Sequence, residues 1–287
     1  MFEGFKLDFI ELSDATLRVR HGGTGEPLLL LHGHPRTHTT WHRVAPLLAT
    51  EFHVVCPDMR GFGQSSPPAD LPCHAGSSKR AKAQDCVELM ARLGFERFHV
   101  AGHDRGSYTA FRLAMDHPES VRRLAVMDSV PILEALERCT EKFARLSWHW
   151  FFFCQPEKPE RAILADPVAW YAHDPAAMGR ENHADFLAAI QDPRTVHGML
   201  EDYRAGPAVD RFHDEADRAQ GLTLQCPLLC LWSERDDLPE LYGDVLEVWR
   251  PWAPDRQGHA ISSGHHMAEE APGAVAEALR GFFSAPG

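Results

Sequence analysis

The chain has 287 residues, of which 44% are apolar and 24% charged, and its formal net charge is −12. That length is enough for one large core with an inserted subdomain, and the composition is ordinary for a globular protein in water. The acidic balance argues against nucleic acid or an anionic membrane surface as the main partner, although one local arginine can reverse the field inside a pocket. No run approaches the roughly 18–20 apolar residues of a membrane helix, and the opening MFEGFKLDFIEL lacks the basic-then-apolar pattern of a signal peptide. Seven cysteines, an odd number, are scattered without a disulfide framework, so reduced thiols in a cytoplasm are expected. Cys226 and Cys230 flank a strand-like run and are expected to pack in the core.

In chain order, FKLDFIEL and ATLRVRHG are short alternating runs, expected as an opening pair of strands. EPLLLLHGHP is an apolar run ending in glycine, as buried parallel strands do. FHVVCPDMRGFGQSS reads as a strand entering a Gly/Ser loop, and SKRAKAQDCVELMARLGF has helical periodicity with a glycine near its end. RFHVAGH is a strand, SYTAFRLAMDHP a helix closed by Pro118, and VRRLAVMDSVP the next strand. Residues 133–220 are helix-like and rich in aromatics, with no convincing strand. The sheet resumes with CPLLCLW, followed by a helix near 239–250, a short polar strand near 256–262, and a loop into a closing helix. Strands alternating with helices imply a mostly parallel sheet flanked by helices. The expected organisation is an α/β core over 1–132 and 221–287, with a helical cap at 133–220, and the terminal SAPG is expected to fray.

The chemistry centres on VAGHDRGSY. Gly102 and Gly106 bracket Asp104 between a strand and a helix, the Gly-x-nucleophile-x-Gly pattern of a nucleophile elbow. Small flanking residues are needed because the turn is tight and strained, and the helix N-terminus favours negative charge there. The motif alone also fits an aspartate that merely caps a helix. Three further features favour a catalytic site: HGHP at 32–35 follows a strand, an acid follows a later strand, and His265 sits in SGHHMAEE before the last helix. The order nucleophile, acid, histidine is that of the α/β-hydrolase fold. A carboxylate is a competent nucleophile at a saturated carbon bearing a leaving group, and a histidine can then activate water against the resulting ester.

With these residues in view, the sequence resembles the fluoroacetate (haloacetate) dehalogenases, aspartate-dependent α/β-hydrolases. The resemblance covers nearly the whole chain and rests on LLLLHGHP, RFHVAGHDRG, LAMDHPESVRRLAVMD, WHWFF, DYRAG, CPLLCLW and SGHHMAEEAP. It implies hydrolysis of small 2-haloacids, with Asp104 as nucleophile, His265 as base (His266 being its neighbour), and His149, Trp150 and Tyr203 as the halide cradle. Each of those three carries an N–H or O–H donor. Trp148 and Phe151 to Phe153 are expected as cap core. For the orienting acid, Asp128 matches the dehalogenase pattern, and Asp236 matches the usual hydrolase position after a later strand. Arg105 is expected to hold the substrate carboxylate beside the nucleophile, with Arg36 a second cation in reach, whereas Arg112 suits a structural ion pair.

Two positions depart from the family pattern. Tyr108 stands where a second arginine is usual, and His34 where an apolar aromatic is usual; both are expected to line the pocket. A charge-assisted hydrogen bond is worth about 1.5–3 kcal/mol, so losing one weakens carboxylate binding about 10–100-fold. Tyr108 therefore keeps epoxide hydrolysis open as an alternative, with Asp104 opening the ring and Tyr203 or Tyr171 protonating its oxygen. A non-catalytic ligand-binding protein on the same fold is the alternative from another class. The histidines of HGHPRTHTTWH lack metal-ligand spacing, so neither metal nor cofactor is expected. The expected partner is a small-molecule substrate, and a homodimer is implied by the resemblance alone.

Overall fold

The computed structural model describes residues 1–171 and 173–285, so Pro286 and Gly287 of the SAPG terminus lie outside the described residues. Leu28 to Leu31 are each fully buried, which is why this run has no polar alternation. Leu29 and Leu31 enter one apolar layer, Leu28 and Leu30 the other, as the two-residue period of a strand requires. The eight strands are β1 (Lys6–Glu11), β2 (Thr16–Gly22), β3 (Glu26–Leu31), β4 (Phe52–Pro57), β5 (Phe98–His103), β6 (Val121–Met127), β7 (Leu228–Ser233) and β8 (Arg256–Ile261). Their order is β1-β2-β4-β3-β5-β6-β7-β8. β1 pairs with β2, and β2 with β4, antiparallel; every other pair is parallel.

Helices Lys79–Arg92 and Arg105–Asp116 cover one face through Leu89, Met90, Phe111 and Leu113. The closing helix Pro272–Phe283 covers the other through Val275, Leu279 and Phe283. Cys226 and Cys230 are buried and all seven cysteines are free. The expected helix near 239–250 is instead two, Leu238–Tyr242 and Val245–Trp249. Gly243 has φ +69° and ends the first; the Asp244 carboxylate accepts from the N–H groups of Leu246 and Glu247 and starts the second.

Between β6 and β7 the described residues form helices and no strand, from Ile132–Glu137 to Arg211–Ala219. Buried polar clamps tie this segment to the sheet layer. Asp185 accepts from Arg18 at 2.8 Å and from the Thr37 hydroxyl at 2.6 Å, and Asp210 accepts from the Lys79 N–H at 2.8 Å.

Because β3 and β5 to β8 run parallel, their carboxyl ends converge on one edge, where α/β sheets bind ligands. The turn leaving β5 carries Asp104 at φ +51°, ψ −117°, a conformation that costs of order 1–3 kcal/mol for a residue with a side chain. It is tolerated because its flanks are bare. A Cβ on Gly102 would lie 2.3 Å from the Gly106 carbonyl oxygen, and one on Gly106 would lie 2.4 Å from that of Leu31. Gly102→Ala must therefore displace backbone, and a loss of about 1–3 kcal/mol is expected. By contrast, a Cβ on Gly273 meets nothing within 4 Å in its helix, and Gly273→Ala should gain about 0.4–1 kcal/mol. Thermal melts of both variants check this pair of opposite signs.

Candidate active site

The elbow is pinned before any chemistry begins. The Asp104 N–H donates to the Met127 carbonyl at 3.0 Å, and the Ser107 hydroxyl donates to the Gly102 carbonyl at 2.7 Å. Ser107 is thus bound to backbone and holds the turn. Asp104 Oδ1 accepts from the His34 backbone N–H at 2.7 Å. A Cβ on Gly33 would come within 2.5 Å of that same oxygen, so glycine there lets the HGHP loop close on the carboxylate. The other oxygen, Oδ2, faces His265 Nε2 at 4.0 Å. Burial opposes ionisation of Asp104, but His265 and Arg105 hold its pKa below the ordinary carboxylate value.

Three adjacent strand ends supply the rest. Asp128 follows β6 directly and has φ +53°; its side chain is fully buried, and Oδ1 accepts from the Ser233 N–H at 3.1 Å. Asp236 follows β7 and is 28% exposed. His265 follows β8, and its Nδ1 lies 2.7 Å from both Asp128 Oδ2 and Asp236 Oδ2. The two acids left as alternatives by the sequence therefore meet on one nitrogen. Burial and the adjacent Asp236 push the Asp128 carboxyl up to about 6. Desolvation also opposes ionisation of Asp236, but its hydrogen bond with His265 wins and lowers it. Desolvation works against a charged His265, yet the ring is 33% exposed, and its carboxylate partners raise its pKa well above 6.5. His103, held down to about 3 by burial, donates through Nε2 to the His265 carbonyl at 2.6 Å and stays a neutral prop. The His266 ring also lines the cavity, with its pKa lowered far by burial and by neighbouring positive groups.

A cavity of about 270 Å³ opens over Asp104 and His265, lined also by His34, Tyr108, His149, Trp150 and Tyr203. Burial holds His149 neutral, down to about 4, and His34 down to about 3. It raises the Tyr108 and Tyr203 hydroxyls, which stay protonated. The wall is therefore a set of neutral donors. The His34 ring stands edge-on to Tyr203 at 5.1 Å, and Tyr108 edge-on to Trp150 at 6.0 Å. A second cavity of about 360 Å³, walled by Trp148, Phe153, Trp170 and Tyr171, shares His34 and His149 with the first.

Arg105 is 1% exposed and stands behind this wall, 4.1 Å from the Tyr203 ring centroid and 5.0 Å from that of Tyr108. Its Nε donates to the Asp202 carboxylate and its Nη2 to the Asp202 carbonyl. Lys79 and Lys82 donate to the same carboxylate. Asp202, 97 residues away in sequence, was not foreseen. The only cue is its place in DYRAG beside Tyr203. Arg36 does not reach the cavity: it is buried against Glu269, with Nε 3.0 Å from Oε1 and Nη2 3.2 Å from Oε2. Arg112 pairs with Asp214 and Asp217, as a structural ion pair should. Trp148 and Phe151 are 50% and 41% exposed rather than core, whereas Phe153 is buried; they fall on the outward face of helix Trp148–Phe153. In HGHPRTHTTWH, His32 Nε2 accepts from the Met59 N–H at 3.0 Å and His38 binds Asp58 at 2.7 Å, so these rings are engaged in the fold.

Residues 26–272 match the family described as alpha/beta hydrolase fold. A fluoroacetate dehalogenase of Burkholderia sp is 41% identical over 99% of this chain and 95% of that one. A soluble epoxide hydrolase of Corynebacterium sp. is 28% identical over 99% and 96%. The solved structure of a protein from Nostoc sp PCC 7120 superposes with a TM-score of 0.96 at 40% identity, covering all of both chains. With an aspartate at its elbow and a histidine and acids on the neighbouring strand ends, the chain belongs to the alpha/beta-hydrolase family and is a hydrolase of its fluoroacetate-dehalogenase-like branch.

Proposed function

We propose that the protein hydrolyses the carbon–halogen bond of small 2-haloacids through a covalent ester on Asp104. The observation that carries this reading is the division of labour at the elbow. Oδ1 is held by the His34 N–H at 2.7 Å, and Oδ2 is turned to the histidine at 4.0 Å. Oδ2 attacks the α-carbon, and the bonding pair leaves with the halide. His149, Trp150 and Tyr203 offer N–H and O–H groups to that departing charge. His265 Nε2 then takes a proton from a water that attacks Cγ of Asp104. The oxyanion forms at Oδ1, where the His34 N–H already sits; collapse releases the 2-hydroxy acid with a proton returned from His265, and the second water proton, left on the Asp104 carboxyl, passes to solvent as the carboxylate re-forms. Residues 133–220 act as a cap that supplies the halide donors. The free cysteines suit a reducing cytoplasm, and among the described residues no helix is long and apolar enough to cross a membrane.

On this reading Arg105, Tyr108 and His34 form the side that receives the substrate carboxylate. Asp202 takes Nε and Nη2 of Arg105, so only Nη1 is without a hydrogen-bond partner among the described residues. The same pairing favours a second reading, epoxide hydrolysis, because a wall of neutral donors suits an uncharged substrate. The Tyr171 hydroxyl, buried without a partner among the described residues, and that of Tyr203 would then protonate the ring oxygen.

Halide release from fluoroacetate and chloroacetate, run beside styrene oxide hydrolysis, separates the two. Asp104-dependent halide release is expected; diol without halide would favour the epoxide. Asp104→Asn should lose turnover by about 10⁴-fold or more, the scale of nucleophile removal in covalent hydrolases, with mass spectrometry excluding deamidation back to aspartate. His265→Asn should trap the ester, shifting the mass of the Asp104 peptide by the substrate less its halide. The base must be neutral to act, and the carboxylates raise its pKa. Ester hydrolysis should therefore increase with pH along a limb centred above 6.5, measured as the pH profile of single-turnover ester decay.

A further inference from the structure

The imidazole Nδ1 carries one hydrogen, yet two carboxylate oxygens lie 2.7 Å from that atom in His265. They arrive from different strands and with different freedom. Asp128 is fully buried, strained at φ +53° and anchored by the Ser233 N–H. Asp236 is 28% exposed, in the loop leaving β7. One orienting acid is all that a histidine needs for its tautomer and direction. A second, at equal distance, brings the two carboxyl groups within hydrogen-bonding reach of each other and makes them repel once both are ionised, a cost that a merely structural residue would avoid.

We propose that Asp128 and Asp236 are two interchangeable positioning residues for His265, so that either carboxylate alone keeps the imidazole aimed at the Asp104 ester. The inference rests on the covalent reading for its kinetic readout only. The shared hydrogen bond also sets the histidine's basicity. The other groups facing the trio are Asp104 and His103 from the elbow, His149 from the helical segment, Asp237 beside Asp236, and His266 beside His265. His103, His149 and Asp237 also feel the Asp236 charge, whereas His265 alone is hydrogen-bonded to both acids through one nitrogen. Removing either acid takes one negative charge from Nδ1, so the alkaline limb of ester hydrolysis moves to lower pH.

The test uses Asp128→Asn, Asp236→Asn and the double variant. Each single variant should lose about tenfold or less, and the double about 10⁴-fold, the cost of misdirecting the histidine of a serine-protease triad. The losses would then be strongly non-additive, as for groups that share one partner. The pH limb should shift down in each single variant, which a purely structural defect would not produce. Loss in Asp128→Asn equal to that of the double, with Asp236→Asn unaltered in rate and limb, would overturn the proposal, as would the reverse. If Asp128→Asn does not fold, an unshifted limb in Asp236→Asn overturns it alone. A readout without substrate separates this from the haloacid reading. The NMR-titrated pKa of His265, assigned against His265→Asn, should fall in each single variant and fall further in the double. Wild-type protein that releases no halide would overturn the haloacid reading and leave this titration to decide the acid pair.

Discussion

No Cβ fits on Gly102 or Gly106, and the geometry of the whole site follows from that exclusion. The two backbones meet where a side chain would stand, which lets the chain reverse from β5 into its helix within one residue. Asp104 is that residue, and its positive φ is the consequence. Gly33 repeats the device from the neighbouring strand, bringing a backbone N–H to the carboxylate. Strain of a few kcal/mol at one residue persists only when its surroundings over-determine it. Here β3, β5 and β6 all hold the turn, and the energy stored there projects an ionised carboxylate into a cavity.

Charge is buried around the site only in compensated form. Arg105 is matched by Asp202, and Lys79 and Lys82 complete that cluster; Arg36 is matched by Glu269. Such pairs add little net stability but are costly to break from one side, so the Asp202 cluster fixes where the helical segment sits on the sheet layer, while Arg36–Glu269 ties two segments of the α/β core together. They also leave the cavity wall to neutral histidine, tryptophan and tyrosine. The cavity-lining groups left to carry charge are Asp104, Asp128, Asp236, Asp237 and His265. The Asp104 charge helps hold the His265 proton. On the proposed covalent reading, ester formation removes that charge, and the histidine gives up its proton more readily when a neutral base is needed.

Much of this was legible in one dimension. The unbroken apolar run of Leu28 to Leu31 announced a strand buried on both faces. Gly102 and Gly106 around Asp104 announced the elbow, because the steric demand is local to five residues. The order of Asp104, the acids and His265 along the chain implied the fold, and the parallel sheet then brought strand ends together. The helix break at Gly243 was missed because the apolar spacing continues across it, while the glycine's positive φ and the Asp244 cap override the period. The exposure of Trp148 and Phe151 was missed because an aromatic run states hydrophobicity but not which turn of a short helix faces outward.

The sequence by itself determined the sheet, the elbow, the family, and the candidates for nucleophile and histidine, since each rests on local sterics or on chain order. Only the tertiary structure decided which charges face the substrate. Arg105 is adjacent to Asp104 in sequence, yet Asp202, on another helix, takes Nε and Nη2 of its guanidinium and leaves Nη1 alone without a partner among the described residues. Asp128 and Asp236 read as alternatives along the chain and meet on one nitrogen because β6, β7 and β8 are neighbours in space. Ion pairing and the convergence of strand ends depend on distances between segments far apart in the chain, and no local pattern encodes those distances.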